Sequence, residues 1–371
     1  MKKINNENGI TLIILIITIV VLLILSGITI SMITGGDGVI DKASNASEQH
    51  IISEEKENIE ILKINAMNKS KFGDLEKDLF QAELDNKYGS GDCSLDGLHF
   101  PYILSIKSNG RSYIVKENEI VQITDDFKNI YATLYDDGTL AFSKYKNPIK
   151  EKTVLKQFDE NVYDKTYSWS GNDIAPWVKN EYNNTIKTIK FVDEIMPIKT
   201  CFWFYNLVKL EKIDNIENLI TNKVTSTKGM FWNCLLLSNL NLSSFNTEKV
   251  TDMSDMFDNC KKLEILDLSS FDTSNVKTFH RMFYYCEKLK KINFSSFNTS
   301  NVTSMHQMFS SCYSLETLDL SSFDTNKVTD MAGIFYYDTK LTKIYIGENW
   351  NTDKFTDSSV FGNCPATLVR K

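Results

Sequence analysis

The chain has 371 residues, 42% of them hydrophobic and 24% charged, with a formal net charge of −7. That length holds two or three domains, and the apolar fraction is that of folded protein. Most of the negative surplus falls in the first 200 residues, and no region carries the basic excess that a phosphate backbone demands. The composition therefore argues against nucleic acid as a partner.

In chain order, the first element is an apolar run, Ile10 to Thr34, with no charge along it. At about 1.5 Å per residue, a helix of that length exceeds the roughly 30 Å hydrocarbon core of a bilayer. Lys2 and Lys3 precede the run and Asp37 is the first charge after it, so the positive-inside tendency puts the rest of the chain outside. The expectation is a single-pass anchor over 10–34 in the cell membrane, with the C-terminal body at the cell surface. The polar leader MKKINNENG ends at Gly9, and ITLIILIITIVVLLIL begins at once. This start resembles the N-terminus of a type IV prepilin. The resemblance implies a leader over 1–9, cut by a prepilin peptidase between Gly9 and Ile10, and methylation of the new terminus. Two positions depart from that family: Ile10 stands where it usually has Phe, and Ile14 stands where it has a glutamate. A plain membrane anchor also accounts for the apolar run.

Gly35 to Gly38 (GGDG) ends the apolar helix. Helical spacing resumes with Ile51, Ile52, Ile59, Leu62 and Ile64, and Glu54, Glu55 and Glu57 lie on the polar side. From Tyr102 to Thr124, alternating runs around Asn109-Gly110 and Glu117-Asn118 predict a three-stranded meander whose first turn has two residues at positive φ. Residues 35–130 are thus expected to form a pilin-like stalk helix and a small antiparallel β head. A second hairpin, with Asp137-Gly138 at its tip, leads through the Trp177 region into the repeats. Residues 131–203 are expected to cap the N-terminal end of a solenoid.

The remainder, 204–371, is governed by a 26-residue period. Phe231, Phe257, Phe283, Phe309 and Phe335 are in register. So are Cys234, Cys260, Cys286 and Cys312, with Asp338 in the next slot, and a leucine column runs from Leu237 to Leu341. A fixed period in the twenties marks a leucine-rich-repeat solenoid, whose stacked units present a long recognition surface. Within one unit, Leu266 and Leu268 alternate with Asp267 as a short strand, and Phe271 plugs the coil. Val276, Phe279, Met282, Phe283 and Cys286 then fall at helical spacing and predict a short helix. Asp252, Asp255 and Asp330 would favour the starts of the equivalent helices. The first unit (Phe204, Leu210, Ile213, Leu219) fits with one residue inserted, and the sequence from Trp350 onward departs as a closing cap. The phrase LDLSSFDTSNV followed by M..MF..C..L resembles the repeat of BspA-like leucine-rich-repeat surface proteins, over roughly Tyr131 to Lys371. That resemblance implies a bacterial surface protein contacting other proteins, matrix or cells; it does not name a ligand. The expected fold class is α+β: a transmembrane or pilin-like helix, a small antiparallel β head and a solenoid of one strand and one short helix per coil.

Three columns are candidate sites. The repeat cysteines occupy an apolar column, which reads as buried thiols rather than metal ligands or disulfides. His280 and His306 share one repeat position, but zinc wants three or four protein ligands, so the pair reads as exposed and unbound. The outward strand column of Asn241, Asp267, Asn293, Asp319 and Tyr345 is the candidate ligand-binding row, flanked by Glu264, Lys290 and Glu316. Outward strand positions also have to be polar for solubility. No Ser/His/Asp grouping, phosphate loop or carboxylate pair stands apart from the repeat, so no catalytic residue, cofactor or metal is expected. The function expected is adhesion through a displayed repeat surface, borne by a minor or tip pilin-like subunit. A structural pilus component without a separate ligand is the alternative, and a surface hydrolase a distant third.

Overall fold

The computed structural model describes residues 39–168, 173–179, 181–352 and 358–371. The leader with Gly9 and Ile10 and the apolar run 10–34 lie outside the described residues. Among the described residues, no helix is long and apolar enough to cross a membrane. The chain forms two compact units that divide between Lys87 and Tyr88.

In the first unit, α1 (Val39–Lys69) runs 31 residues without a glycine or proline. Ile52, Ile59, Leu62 and Ala66 form its buried stripe, at the separations that keep one helix face. Of the residues expected to belong to that stripe, Ile51 and Ile64 are about half exposed, at 49% and 47%, because Ile51 sits one position and Ile64 two positions off it. A short turn with Gly73 at φ 78° leads to α2 (Lys77–Tyr88), and an ion pair joins Lys69 to Glu83.

The second unit opens with a four-stranded antiparallel sheet in the order β1-β2-β3-β4: β1 (Cys93–Asp96), β2 (Tyr102–Ile106), β3 (Arg111–Val115) and β4 (Ile120–Ile123). The predicted meander is β2 to β4, and β1 adds a strand in front of it. The β2–β3 loop has a positive φ only at Gly110, and the Asn109 side chain instead accepts the Arg111 amide at 2.9 Å. This sheet is laid against the repeats. Ile103, Ile114 and Phe127 pack with Met196 and Ile220, and Lys116 pairs with Glu194 at 2.7 Å. The Asn222 amide donates to the carbonyls of Asp96 and Pro101, and His99 meets the Ser270 carbonyl at 2.8 Å.

A five-stranded sheet follows, in the order β7-β5-β6-β8-β9. β5 (Tyr131–Tyr135), β6 (Thr139–Ser143) and β7 (Val154–Phe158) are antiparallel, whereas β8 (Thr188–Phe191) and β9 (Lys212–Asp214) run parallel to β6. The hairpin therefore lies along the first edge of the parallel stack, where an open edge would otherwise expose unpaired backbone. Its tip is a turn closed by the Gly138 amide on Tyr135, with Gly138 alone at φ 85°. A Cβ there would come within 2.5 Å of the Thr185 carbonyl, so only glycine fits. Trp177 is fully buried among Phe142, Phe158, Tyr167 and Trp203 and donates its indole N–H to the Trp203 carbonyl.

From there to the end, coils stack at the predicted period. The strand wall contains β10 (Ile265–Asp267), β11 (Lys291–Asn293), β12 (Thr317–Leu320), β13 (Lys343–Ile346) and β14 (Thr367–Arg370), paired in parallel as β10-β11 and β12-β13-β14. Leu266, Leu268, Leu318, Leu320, Ile344 and Ile346 face the core. The phenylalanine column stacks face to face from Phe231 through Phe257, Phe283 and Phe309 to Phe335, with centroids 5.6–6.0 Å apart. Phe361, just inside the end of α3 (Ser358–Phe361), extends it at 5.4 Å from Phe335. The divergent C-terminal segment is thus a further coil, closed by β14 on β13.

The return leg is not the predicted helix. In one coil the amides of Met230, Trp232 and Cys234 turn back three residues, onto Thr227, Gly229 and Phe231, at 3.1, 3.2 and 3.1 Å. The alternate amides, of Gly229, Phe231 and Asn233, cross to Ser254, Met256 and Asp258 of the next coil at 2.8, 2.9 and 2.8 Å. Two residues per coil take left-handed backbone: Gly229, Asp255, Arg281, Gln307 and Gly333 in one column, and Asn233, Asn259, Tyr285, Ser311 and Tyr337 in the other. A right-handed helix excludes such residues and keeps its amides to itself. Overlapping four-residue turns repeat side chains at three- and four-residue intervals, as a helix does, which is why the spacing misleads. Asp252, Asp255 and Asp330 consequently sit in turns and bridges, with no helix start to favour.

A buried threonine column ties the third side. Thr221, Thr247, Thr273 and Thr299 each donate a hydroxyl to a carbonyl 25 residues on, at 2.8–3.0 Å. Thr273 also accepts the Asn298 amide at 2.8 Å, so Thr273→Val leaves both backbone groups of Asn298 without that partner. A loss of about 2–4 kcal/mol is expected in chemical denaturation of the purified chain. Ser274→Ala on the neighbouring surface should cost less than about 0.5 kcal/mol. Equal effects of the two changes would sink the ladder account.

Candidate functional site

The predicted ligand-binding row is committed to turns. Asn241, Asp267, Asn293 and Asp319 each accept, through a side-chain oxygen, the amide two residues ahead, at Ser243, Ser269, Ser295 and Ser321. These are Asx turns, in which the short polar side chain bends the backbone where the strand ends. The Ser269 amide, and with it the Ser269 hydroxyl, holds the Asp267 carboxyl below its ordinary value. Burial pushes Asp319 up, but donation from Lys371 and Ser321 outweighs it and leaves the group lowered. Tyr345 differs: it is half-buried, with the Lys371 ammonium 4.6 Å from its ring centre. The repeated Asn/Asp choice therefore has a structural cause. The same device recurs at the next corner, where Asn246, Asp272, Asn298 and Asp324 cap Glu248, Ser274, Ser300 and Asn326.

All seven cysteines are free thiols. Cys234, Cys260, Cys286 and Cys312 are fully enclosed, and each donates its S–H to a phenylalanine carbonyl of the preceding coil: Phe204, Phe231, Phe257 and Phe283, at 3.1–3.2 Å. Burial pushes all four thiols far above their usual range, so they are inert packing groups. Cys364 lies 26 residues beyond Asp338 and continues the column, a match that the divergent sequence around it obscures. Burial raises Cys364 to about 11.

Asp338 is the exception in that column. One carboxyl oxygen accepts the Cys312 amide at 2.7 Å, while the other is buried without a hydrogen bond. Burial drives this group well above the carboxylate range.

His280 and His306 stack with ring centres 5.0 Å apart and planes within 12°. They are partly buried rather than exposed. Burial, then His306, Arg281 and Lys228, pushes His280 down to about 4, and His306 meets Asp330 at 3.2 Å. Among the described residues, no group of three or more His, Cys, Asp and Glu side chains converges as metal ligands would.

The face that sequence reasoning passed over is the outer side of the return leg. The 232 position reads Trp232, Asp258, Tyr284, Ser310 and Tyr336, and the 235 position reads Leu235, Lys261, Glu287, Tyr313 and Thr339. Tyr336 and Tyr337 are exposed and edge to face at 4.5 Å, Tyr284 and Tyr285 make the same pair at 4.8 Å, and Tyr313 joins Tyr285 at 6.1 Å. Aromatic side chains at positions that change from coil to coil were the available signal.

The fold is thus a β-solenoid of 26-residue leucine-rich coils. Residues 199–294 and 290–367 match the model of a family described as "Mycoplasma protein of unknown function, DUF285". Among solved structures, the chain is similar to a leucine-rich repeat protein from Bacteroides ovatus at 17% identity, with a TM-score of 0.22, covering 67% of this chain and 76% of that one. No curated protein matches.

Asp338→Cys restores the column residue and removes a buried acid. It is expected to stabilise the chain by about 1–3 kcal/mol near neutral pH. The sign follows from linkage: a carboxyl raised by folding keeps the folded state fully stable below the unfolded value near 3.8, and that stability is lost as pH rises toward the raised value. Denaturation midpoints of the two proteins should therefore converge in acid and separate toward neutral pH. A gap independent of pH would refute the assignment.

Proposed function

We propose that this chain is a surface-displayed recognition protein, tethered through residues 10–34, whose outer turn face receives an extracellular ligand. Such a protein binds rather than catalyses, and a prepilin-type cut between Gly9 and Ile10 would deliver it to a pilus as a minor or tip subunit. The observation that carries this reading is a division of labour inside the repeat. Phenylalanine, cysteine, threonine and Asn/Asp columns recur because each makes a bond or contact that every coil needs. The 232 and 235 positions escape those demands, diverge from coil to coil, and hold tryptophan and tyrosine, the side chains that supply most contact area at protein surfaces. Rigid stacking keeps those rings in place before any ligand arrives, which lowers the ordering cost of binding.

The reading is tested by labelling intact producing cells with a membrane-impermeant amine reagent and analysing the recovered chain by mass spectrometry. Exposed lysines of the solenoid, Lys262 and Lys327 among them, are expected to be modified, and the terminus to begin at Ile10. Lysines modified only after lysis would overturn surface display. An intact Met1 on labelled chains would remove the pilin pathway and leave a membrane-tethered binding protein.

A further inference from the structure

Asp258 interrupts the aromatic column between Trp232 and Tyr284, and the interruption opens a cleft. Trp232, Asp258, Asn259, Arg281, Tyr284 and Tyr285 line it, around a volume of ≈ 290 Å³. Asp258 is 1% exposed, and its Oδ2 has no hydrogen bond; the Nε of Arg281 is buried and equally unmet. Burial pushes the Asp258 carboxyl up to about 8 against the pull of Arg281, whose Nη2 stands 3.3 Å from Oδ2 off the line of a hydrogen bond, so a carboxyl oxygen and a donor lie side by side. The Arg281 guanidinium lies 3.9 Å over the Tyr284 ring. At the rim, Lys261 is taken by Glu287 at 2.6 Å.

The chemistry selects among ligands. An anion would have to share Arg281 with the Asp258 carboxyl buried beside it. A cation would compete with Arg281, which already occupies the Tyr284 face. An apolar group would leave both buried polar atoms unmet. A hydroxyl satisfies both, since it can donate to the unmet carboxyl oxygen and accept from the guanidinium. Vicinal hydroxyls on a ring that also has an apolar C–H face suit both the polar pair and the aromatic walls.

We propose that this cleft is a saccharide-binding site, which takes a neutral pyranose against Trp232 and Tyr285 and hydrogen-bonds its hydroxyls through Asp258 and Arg281. The proposal rests on the recognition reading of the turn face and names the ligand class. The test uses the full chain in a polyoxyethylene detergent, which has no sugar headgroup. Saturation-transfer NMR is recorded with glucose, galactose, N-acetylglucosamine and their β-linked trimers at millimolar concentration. Transfer to the C–H face of at least one sugar is expected. It should fall about five- to tenfold in Tyr285→Asn, the worth of a lost aromatic contact, and should also fall in Tyr284→Ser, which removes the ring that holds the Arg281 guanidinium. Both replacements copy residues that other coils carry at the same place (Ser310 and Asn259), so the coil should be retained, as a melting temperature no lower than the parent chain's would verify. Asp258→Asn should also weaken transfer while keeping the side chain's shape. No transfer to any of these sugars, or transfer undiminished in all three variants, overturns the proposal. A chain that is labelled on intact cells yet binds none of the sugars would leave the recognition reading standing and remove only the saccharide.

Discussion

Everything in the repeat region depends on where alternate amides of the return leg go. One set closes turns within a coil and the other reaches the next coil, so each coil is half of its neighbour's backbone hydrogen bonding. Buried N–H groups have to be paired, and here they can be paired only if successive coils have the same length along this leg. The 26-residue period is the consequence. Once the count is fixed, side chains at equal positions fall on one another, and ring stacking, thiol donation and threonine hydroxyls follow as columns. The phenylalanine carbonyl shows the economy: Phe231 accepts its own coil's Cys234 amide and the next coil's Cys260 thiol, using both lone pairs.

That constraint also decides which polar residues are free to do anything else. Asn and Asp recur at two corners because a short acceptor can cap the backbone two residues ahead, and a side chain spent on that bond is a poor hook for a ligand. Repetition along a chain is usually read as a sign of repeated binding. Here repeated polar residues mark repeated backbone needs, and positions that fail to repeat mark the surface the fold leaves open.

Much of the architecture was legible in the sequence. Period, core columns, alternating leucines and the β2–β4 and β5–β6 hairpins all came from spacing, because burial and pairing impose spacing directly. The return leg was misread because turns three residues deep and a helix of 3.6 residues per turn bury nearly the same positions; the left-handed residues that separate them show only where the column holds Gly or Asn, as at Gly229 and Asn233, and are masked at Arg281 and Tyr285. The threonine column was not legible, since a hydroxyl enters a core only when its partner is known. The docking of the β1–β2 segment on Asn222 and Ser270 depends on contacts more than a hundred residues apart, which no local pattern encodes. The candidate site was the least legible: its members stand at positions that do not repeat, one coil apart, and only stacking brings Asp258 between Trp232 and Tyr284.

The left-handed columns sharpen the case for the turn face. Asn and Gly adopt that backbone cheaply, and Asn206, Asn233 and Asn259 exploit it with an amide stack, each donating to the one before. Tyr285, Tyr337 and Arg281 take the same backbone at φ 57°, 65° and 53°, where a larger side chain costs of order 1–2 kcal/mol. Nothing in the ladder requires them, since Asn and Gly serve the same positions in neighbouring coils. Strained residues persist where the surrounding structure over-determines them, and the inter-coil bonds of this solenoid do so. Asp255, Gln307 and Ser311 bear such a cost too, but Tyr285, Tyr337 and Arg281 bring two rings and a guanidinium to the face that also holds Trp232 and Tyr284. Where a coil carries Tyr285 or Tyr337 in place of asparagine, it spends stability on aromatic surface.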